Sequence, residues 1–540
     1  MMNAPGPGPG SNSKFEGDGE MGAFEVVVLG GGTAGVHVAL EVAWGGRSVA
    51  LIEAGLIGGE SPYLACLPSN SLLLSAARGE AWEAAVDRRD DVTNGLDDSA
   101  AALRLVEAGV TVIRGTGQIT GPGTVRVSPV PGATGESAGE TDVSLTYSDL
   151  VIATGCEPVA PPIEGLSDIP AWTTAEGLCS PDLPRRLIVL GGGPAGCELA
   201  QIYAAFGSQV TLVEAEPGLL PGEPAFAGEI LAAALRRAGV EIYMGSRATK
   251  AERTSEGLRI ALEDGTQIDA DRLLLASGRR PRLTGLGLDA LGVAVPPGQA
   301  LPTTTSCRVS GVDGSVNGPR RVWAAGDVTG ITHTHAGRYQ AGVVAANILG
   351  QRREADYSAI PRCVFTTPSV YAVGEAPRPG LTTVRANLSD TTRGRLGTDE
   401  TGCVELYAED GMLVGAVAVG PDATAWMAEV TLAIRAQIPV AVLADVVHAF
   451  PTHGEALETA FRELARTRGS PVIADQEEKG FRLLSELGME TPEDDALEQH
   501  REVVADDTVA GARREVPFDV DEADAAEQAR AVGFDDDDYR

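Results

Sequence analysis

The chain has 540 residues, 42 Lys and Arg against 76 Asp and Glu, a formal net charge of -34, and 43% hydrophobic residues. That length exceeds what a single core fills, so two or more domains are expected. The acidic balance opposes binding to nucleic acid or to anionic membrane surfaces. No apolar run approaches the roughly 20 residues of a membrane helix, and the first twenty residues lack the basic start and apolar core of a signal peptide, so a cytoplasmic protein without membrane insertion is expected. Lysine occurs only at 14, 250 and 479; so acidic and lysine-poor a surface fits either a salty cytosol or a GC-rich genome. The seven cysteines, at 66, 156, 179, 197, 307, 363 and 403, form no metal-ligand spacing. They read as reduced thiols, and no metal site is expected.

In chain order, residues 1–20 are rich in Gly, Pro, Ser and Asn and read as a disordered tail. The β-branched run Phe24–Leu29 predicts a strand feeding Gly30-Gly31-Gly32-Thr33-Ala34-Gly35, then a helix over Val36–Trp44 and a second strand, Ser48–Ile52, ending at Glu53. Strand, glycine loop, helix, strand and acid make a dinucleotide-binding unit. The unit recurs: Arg186–Leu190 leads into Gly191-Gly192-Gly193-Pro194-Ala195-Gly196, a helix through Ala205, and the strand Gln209–Val213 with Glu214. In each unit the first glycine makes the turn, the second lets backbone approach a pyrophosphate, and the third allows close helix packing. The helix N-terminus favours the phosphates, and Glu53 or Glu214 would accept from ribose hydroxyls. Glu214-Ala215-Glu216 has no adjacent arginine to meet a 2′-phosphate, so NADH is favoured over NADPH.

Between these units and beyond them lie further motifs. The segment Gly58-Gly59-Glu60-Ser61-Pro62-Tyr63-Leu64-Ala65-Cys66-Leu67-Pro68-Ser69-Asn70 resembles the redox-disulfide segment of the pyridine nucleotide-disulfide oxidoreductases. These flavoprotein disulfide reductases, class I, are the family of lipoamide dehydrogenase, glutathione reductase and mercuric reductase. Ala153-Thr154-Gly155 and Ala276-Ser277-Gly278 resemble its paired crossings between FAD and NAD domains, and Ala324-Ala325-Gly326-Asp327 its second FAD fingerprint. The segment from Pro361 to Pro368, a helix over Ala425–Ile434 and a helix beginning near Pro451 resemble its interface domain.

The resemblance implies an α/β protein: two Rossmann-like dinucleotide-binding domains, for FAD and NAD, plus an α+β C-terminal dimerisation domain, in a homodimer. Residues 21–155 and 278–350 would form the FAD domain, 156–277 the NAD domain and 355–468 the dimerisation domain. Residues 469–540 are an acidic extension, read as partly disordered. FAD would be held by Gly30, Gly32, Gly35, Glu53, Thr154, Gly155 and Asp327, and NAD by Gly191, Gly193, Gly196, Glu214 and Gly278.

The chain departs from the family where the dithiol chemistry lies. Ser61 stands at the first cysteine position, Cys66 at the second and Asn70 at the lysine position. Phe450 stands where the family has a catalytic histidine supplied to the partner subunit, while its supporting acid is kept as Glu455. Glu198 matches the family glutamate near the nicotinamide, and without the lysine it would be protonated or bonded to Asn70. The candidate catalytic residues are therefore Cys66, Glu198 and Glu455. The expected activity passes hydride from NADH through FAD to a small non-disulfide acceptor such as a quinone. Two alternatives stay open: a single-thiol or dihydrolipoamide dehydrogenase-like enzyme working through Cys66, and a low-turnover flavin-binding redox sensor.

Overall fold

A computed structural model describes residues 22–130, 141–312, 321–397 and 401–467; both terminal segments read from the sequence as disordered or acidic lie outside these residues. Two sheets carry the glycine loops. The first is wholly parallel, in the order Arg321–Ala324, Asp149–Ile152, Val26–Leu29, Val49–Glu53, Val110–Arg114. The second repeats the design with Ala171–Thr173, Arg272–Leu275, Arg186–Leu190, Gln209–Val213 and Glu241–Tyr243. Both faces of such sheets are covered, which is why Val26–Leu29 is buried at every position and why the strands read as continuous apolar runs. The helices after the loops are Thr33–Trp44 and Pro194–Ala205.

The C-terminal layer is different. Its five strands, Arg362–Val364, Ser369–Gly374, Met412–Gly420, Cys403–Glu409 and Thr382–Asn387, are antiparallel. The helix Gly454–Thr467 packs here through Ala456, Leu457, Ala460, Phe461 and Leu464, an apolar stripe at helical spacing with charged residues on the other side. Two boundaries correct the sequence reading. The helix expected over Ala425–Ile434 is broken into Ala423–Trp426 and Ala428–Arg435 at the buried Met427. The last helix begins at Gly454 rather than near Pro451, because residues 449–452 form a turn closed by the Thr452 hydroxyl on the Ala449 carbonyl.

The two parallel sheets are joined by an antiparallel crossing in which Cys156–Pro158 pairs with Arg279–Pro281. This crossing brings residues far apart in sequence to the edge of the first glycine loop.

Candidate active site

At the first loop Gly30 has φ +101°, and a Cβ there would stand 2.3 Å from the Ala153 carbonyl oxygen. A Cβ on Gly35 would stand 1.9 Å from the Gly30 oxygen, so helix and turn close on each other only with glycine at both places. Gly32 is required for another reason. Its φ is an ordinary -69° and a Cβ would meet only the Gly59 Cα, at 3.9 Å. Nothing in the chain itself needs glycine there. The space lies before the N-terminus of Thr33–Trp44, which has no side-chain cap, and its free N–H groups suit a phosphate. Glu53 closes the loop, accepting from the Gly31 N–H at 2.5 Å and the Gly55 N–H at 2.6 Å.

The second loop copies this geometry. Gly191 has φ +110° and a Cβ there would stand 2.4 Å from the Ala276 oxygen, a Cβ on Gly196 would stand 1.9 Å from the Gly191 oxygen, and a Cβ on Gly193 would meet nothing within 4 Å. Glu214, buried, accepts from the N–H groups of Gly192 at 2.5 Å and Glu216 at 2.7 Å. Glu216 also faces Arg247 at 3.8 Å, with both side chains more than half exposed. The sequence reading weighed only residues adjacent to Glu214 and so passed over this arginine, which arrives from beyond the next strand.

At the crossing the Thr154 hydroxyl donates to the Arg282 carbonyl at 2.8 Å, and Gly155 and Gly278 take positive φ of 72° and 121°. Asp327 opens a short turn after Gly326, whose N–H donates to Gln340 at 2.8 Å. Burial pushes the Asp327 carboxyl up, the Arg279 guanidinium opposes this, and Glu60 adds to it. An open cradle at a helix N-terminus, an acid at the strand end and a second acid beneath the crossing fit FAD at the first loop. The second loop fits the pyrophosphate of a nicotinamide cofactor.

Cys66 is exposed and opens the helix Cys66–Ala77. Its sulfur lies 3.5 Å from the Thr334 hydroxyl, which donates in turn to the Ser61 hydroxyl at 3.2 Å. Two oxygens and one sulfur thus occupy the place of a dithiol, and all seven cysteines are free. Glu198 is partly buried. It accepts from the Ser69 hydroxyl at 2.6 Å and from the Phe365 N–H at 2.9 Å. Burial pushes its carboxyl up, against the lowering effect of these two donors. Asn70 does not reach it: its amide donates to the Cys66 carbonyl at 2.9 Å. Of the two outcomes weighed from the sequence, the Glu198–Asn70 bond is thus replaced by a bond from Ser69.

Phe450 is 73% exposed and Val447 93%, while Tyr63 is buried. Glu455 accepts backbone N–H bonds from Thr392 at 2.9 Å, Thr452 at 3.1 Å and Arg393 at 3.3 Å. It is spent within its own domain, joining the start of one helix to the start of another. Burial acts to raise its carboxyl, but the donors from Thr392, Arg393 and Thr452 hold it below the usual range. The nearby His448 is buried against Glu429 at 3.0 Å, and His453 lies beside the Trp426 ring, 6.4 Å between centroids. Among the described residues no cluster of His, Cys, Asp or Glu could hold a metal, and no helix is long and apolar enough to cross a membrane.

Two like glycine loops on two parallel sheets, joined by an antiparallel crossing, define a dinucleotide-dependent flavoprotein oxidoreductase. The chain belongs to the pyridine nucleotide-disulphide oxidoreductase family, which matches residues 24–342, with the dimerisation domain of that family matching residues 360–461. It is therefore an NAD(P)H/FAD-dependent oxidoreductase carrying a dimerisation domain. The chain is 31% identical over 464 residues to a dihydrolipoyl dehydrogenase of Pseudomonas aeruginosa, covering 81% of this chain and 96% of that protein. It is also 31% identical over 474 residues to a mercuric reductase of Acidithiobacillus ferrooxidans, covering 82% of each. Among solved structures, the HOCl-induced flavoprotein disulfide reductase RclA from Escherichia coli superposes with a TM-score of 0.72 at 26% identity, over 81% of this chain and 99% of that one.

Proposed function

We propose that this protein passes hydride from NADH through FAD to a small non-disulfide acceptor such as a quinone, as a homodimer. Bound FAD supplies the redox chemistry, accepting two electrons from the nicotinamide and releasing them to the acceptor. The chain's own residues bind and orient. Gly30, Gly32, Gly35 and Glu53 would hold FAD with Thr154, Gly155 and Asp327, and Gly191, Gly193, Gly196, Glu214 and Gly278 would hold NADH. The pair Glu214 and Glu216 supports NADH over NADPH by repulsion of a 2′-phosphate, tempered by Arg247. Glu198, its carboxyl raised by burial and bonded to the Ser69 hydroxyl and the Phe365 N–H, would act beside the nicotinamide.

The observation carrying the non-disulfide acceptor is the Ser61–Thr334–Cys66 chain of contacts, in which a hydroxyl stands where dithiol exchange needs a second sulfur. Dihydrolipoyl dehydrogenase relatives are named for a dithiol substrate; this chain keeps their frame and lacks that partner atom. Exposed Cys66 supports a second reading in which its lone thiol reacts with a small thiol or peroxide. Steady-state assays with NADH and quinones, lipoamide or glutathione disulfide test the proposal. Quinone turnover that survives Cys66→Ser is expected, and robust lipoamide turnover by the wild type would overturn it.

A further inference from the structure

The hairpin that opens the antiparallel sheet turns back through residues 365–368, between the edge strand Arg362–Val364 and its partner Ser369–Gly374. Backbone N–H and C=O groups in such a turn have no strand beside them and need partners from elsewhere. Here one helix supplies them. Glu198 and Gln201 stand three positions apart on Pro194–Ala205, and so on one face of it. Glu198 accepts from the Phe365 N–H at 2.9 Å. The half-buried Gln201 takes both backbone groups of Thr367, donating from Nε2 to its carbonyl at 2.8 Å and accepting at Oε1 from its N–H at 2.7 Å. Between these two grips Thr366 is buried, and its hydroxyl donates to the Pro368 carbonyl at 2.8 Å.

The two grips differ in kind. Each oxygen of Glu198 receives one donor: Ser69, from the helix Cys66–Ala77, on Oε2 and Phe365 on Oε1. The second of these is aimed only as well as the turn is held. A primary amide matched to the N–H and C=O of a single residue fixes that turn in position and in rotation, as a neighbouring strand would. The titratable groups that act on one another here are few. Burial pushes up the thiols of Cys197, on the same helix, and of Cys363, on the hairpin, the latter to about 11, so both stay neutral beside Glu198. Glu198 is therefore the group whose protonation answers to its donors: burial raises its carboxyl, and Ser69 and Phe365 lower it. Loss of a donor to the charged form raises a carboxyl further.

We propose that Gln201 is a positioning residue for hydride entry: by holding the turn at 365–368 against the helix Pro194–Ala205, it keeps the Phe365 N–H on Glu198 and Glu198 in place. This rests on the reading that Glu198 acts beside the nicotinamide, and the test separates the two. Flavin reduction by NADH is followed by stopped flow across pH in full-length holoprotein, with thermal unfolding as the folding check. Gln201→Ala is expected to slow reduction about fivefold, the scale of one hydrogen bond, and to move the pH profile to higher pH. Ser69→Ala, which removes the other donor, is expected to move it the same way. Gln201→Met keeps the length of the side chain without its amide and is expected to match Gln201→Ala. In the double variant Glu198→Gln, Gln201→Ala the rate is expected to equal that of Glu198→Gln alone, because the effect of Gln201 passes through the carboxyl. A staple that serves stability alone predicts a lower unfolding temperature with the wild-type rate and profile in both Gln201 variants, and that result overturns the proposal while leaving the reading of Glu198 intact. Independent, additive losses in the double variant also overturn it. A wild-type rate and profile in Glu198→Gln would remove the reading of Glu198, and the proposal with it.

Discussion

The two glycine loops and the two ends of the dithiol machinery make an instructive contrast. The loops agree contact by contact: Gly30 and Gly191 lie under the carbonyls of Ala153 and Ala276, which follow the neighbouring parallel strands, Gly35 and Gly196 each close on the oxygen of the turn glycine, and Glu53 and Glu214 each accept two backbone N–H groups. At the acceptor end the frame is kept and the reactive atoms are not. Ser61 offers oxygen in place of sulfur, Phe450 stands exposed where a proton carrier is expected, and Glu455 is consumed by backbone donors. Cofactor cradles depend on backbone shape, which glycine alone supplies, whereas acceptor chemistry depends on single side-chain atoms that substitute without disturbing the fold.

The largest effect comes from breaking the intact side. Gly193→Ala adds a Cβ that meets nothing in the chain, so folding should be unchanged. Yet it fills the approach of the nicotinamide cofactor's pyrophosphate, and stopped-flow reduction by NADH should fall about a hundredfold. The contrast is sharpened next by mending the other side. Ser61→Cys is expected to restore a dithiol, seen as two further electrons taken up in anaerobic titration, while lipoamide turnover stays near background because Phe450 still carries no proton. Substantial lipoamide turnover in that single variant would show that the histidine position matters less than stated.

Smaller effects separate support from chemistry. Glu455→Ala should cost about 1 kcal/mol, the scale of a lost helix cap, and lower the unfolding temperature while leaving NADH–quinone turnover unchanged. A large fall in turnover with unchanged stability would return Glu455 to the reaction. The smallest effect is at Glu198. Its folded-state carboxyl is raised by burial, so the folded chain holds that proton more tightly than the unfolded one. The stabilisation is full below the ordinary carboxylate range and lost as pH rises through the raised value. Relative to Glu198→Gln, the wild type should therefore lose roughly 1–2 °C of unfolding temperature as pH increases through that window; parallel melting curves would reveal a missing trend.

The fold was legible because both parallel sheets are written in short apolar runs that end at glycine turns, and the family match extends that reading to residues 24–342 and 360–461. Loop glycines and strand-end acids were legible for the same reason: their spacing is local. What stayed hidden was carried by distance along the chain. Thr334 reaches Ser61 and Cys66 across 273 and 268 residues, and Arg279 reaches Glu60 across 219. Ser69 rather than Asn70 meets Glu198 because on a helix neighbouring residues point about 100° apart, so a one-residue difference decides which side chain faces the carboxyl. The helix over Ala425–Ile434 was read as one because its composition is uniformly favourable; packing of Met427 into the core divides it.

The central claim is that electrons reach the flavin and go no further within the protein. Anaerobic titration of the wild-type holoprotein with dithionite, counted against FAD absorbance, tests it most directly. Uptake of two electrons per FAD is the predicted result, and uptake of four would mean that Cys66 has found a disulfide partner and would contradict the account.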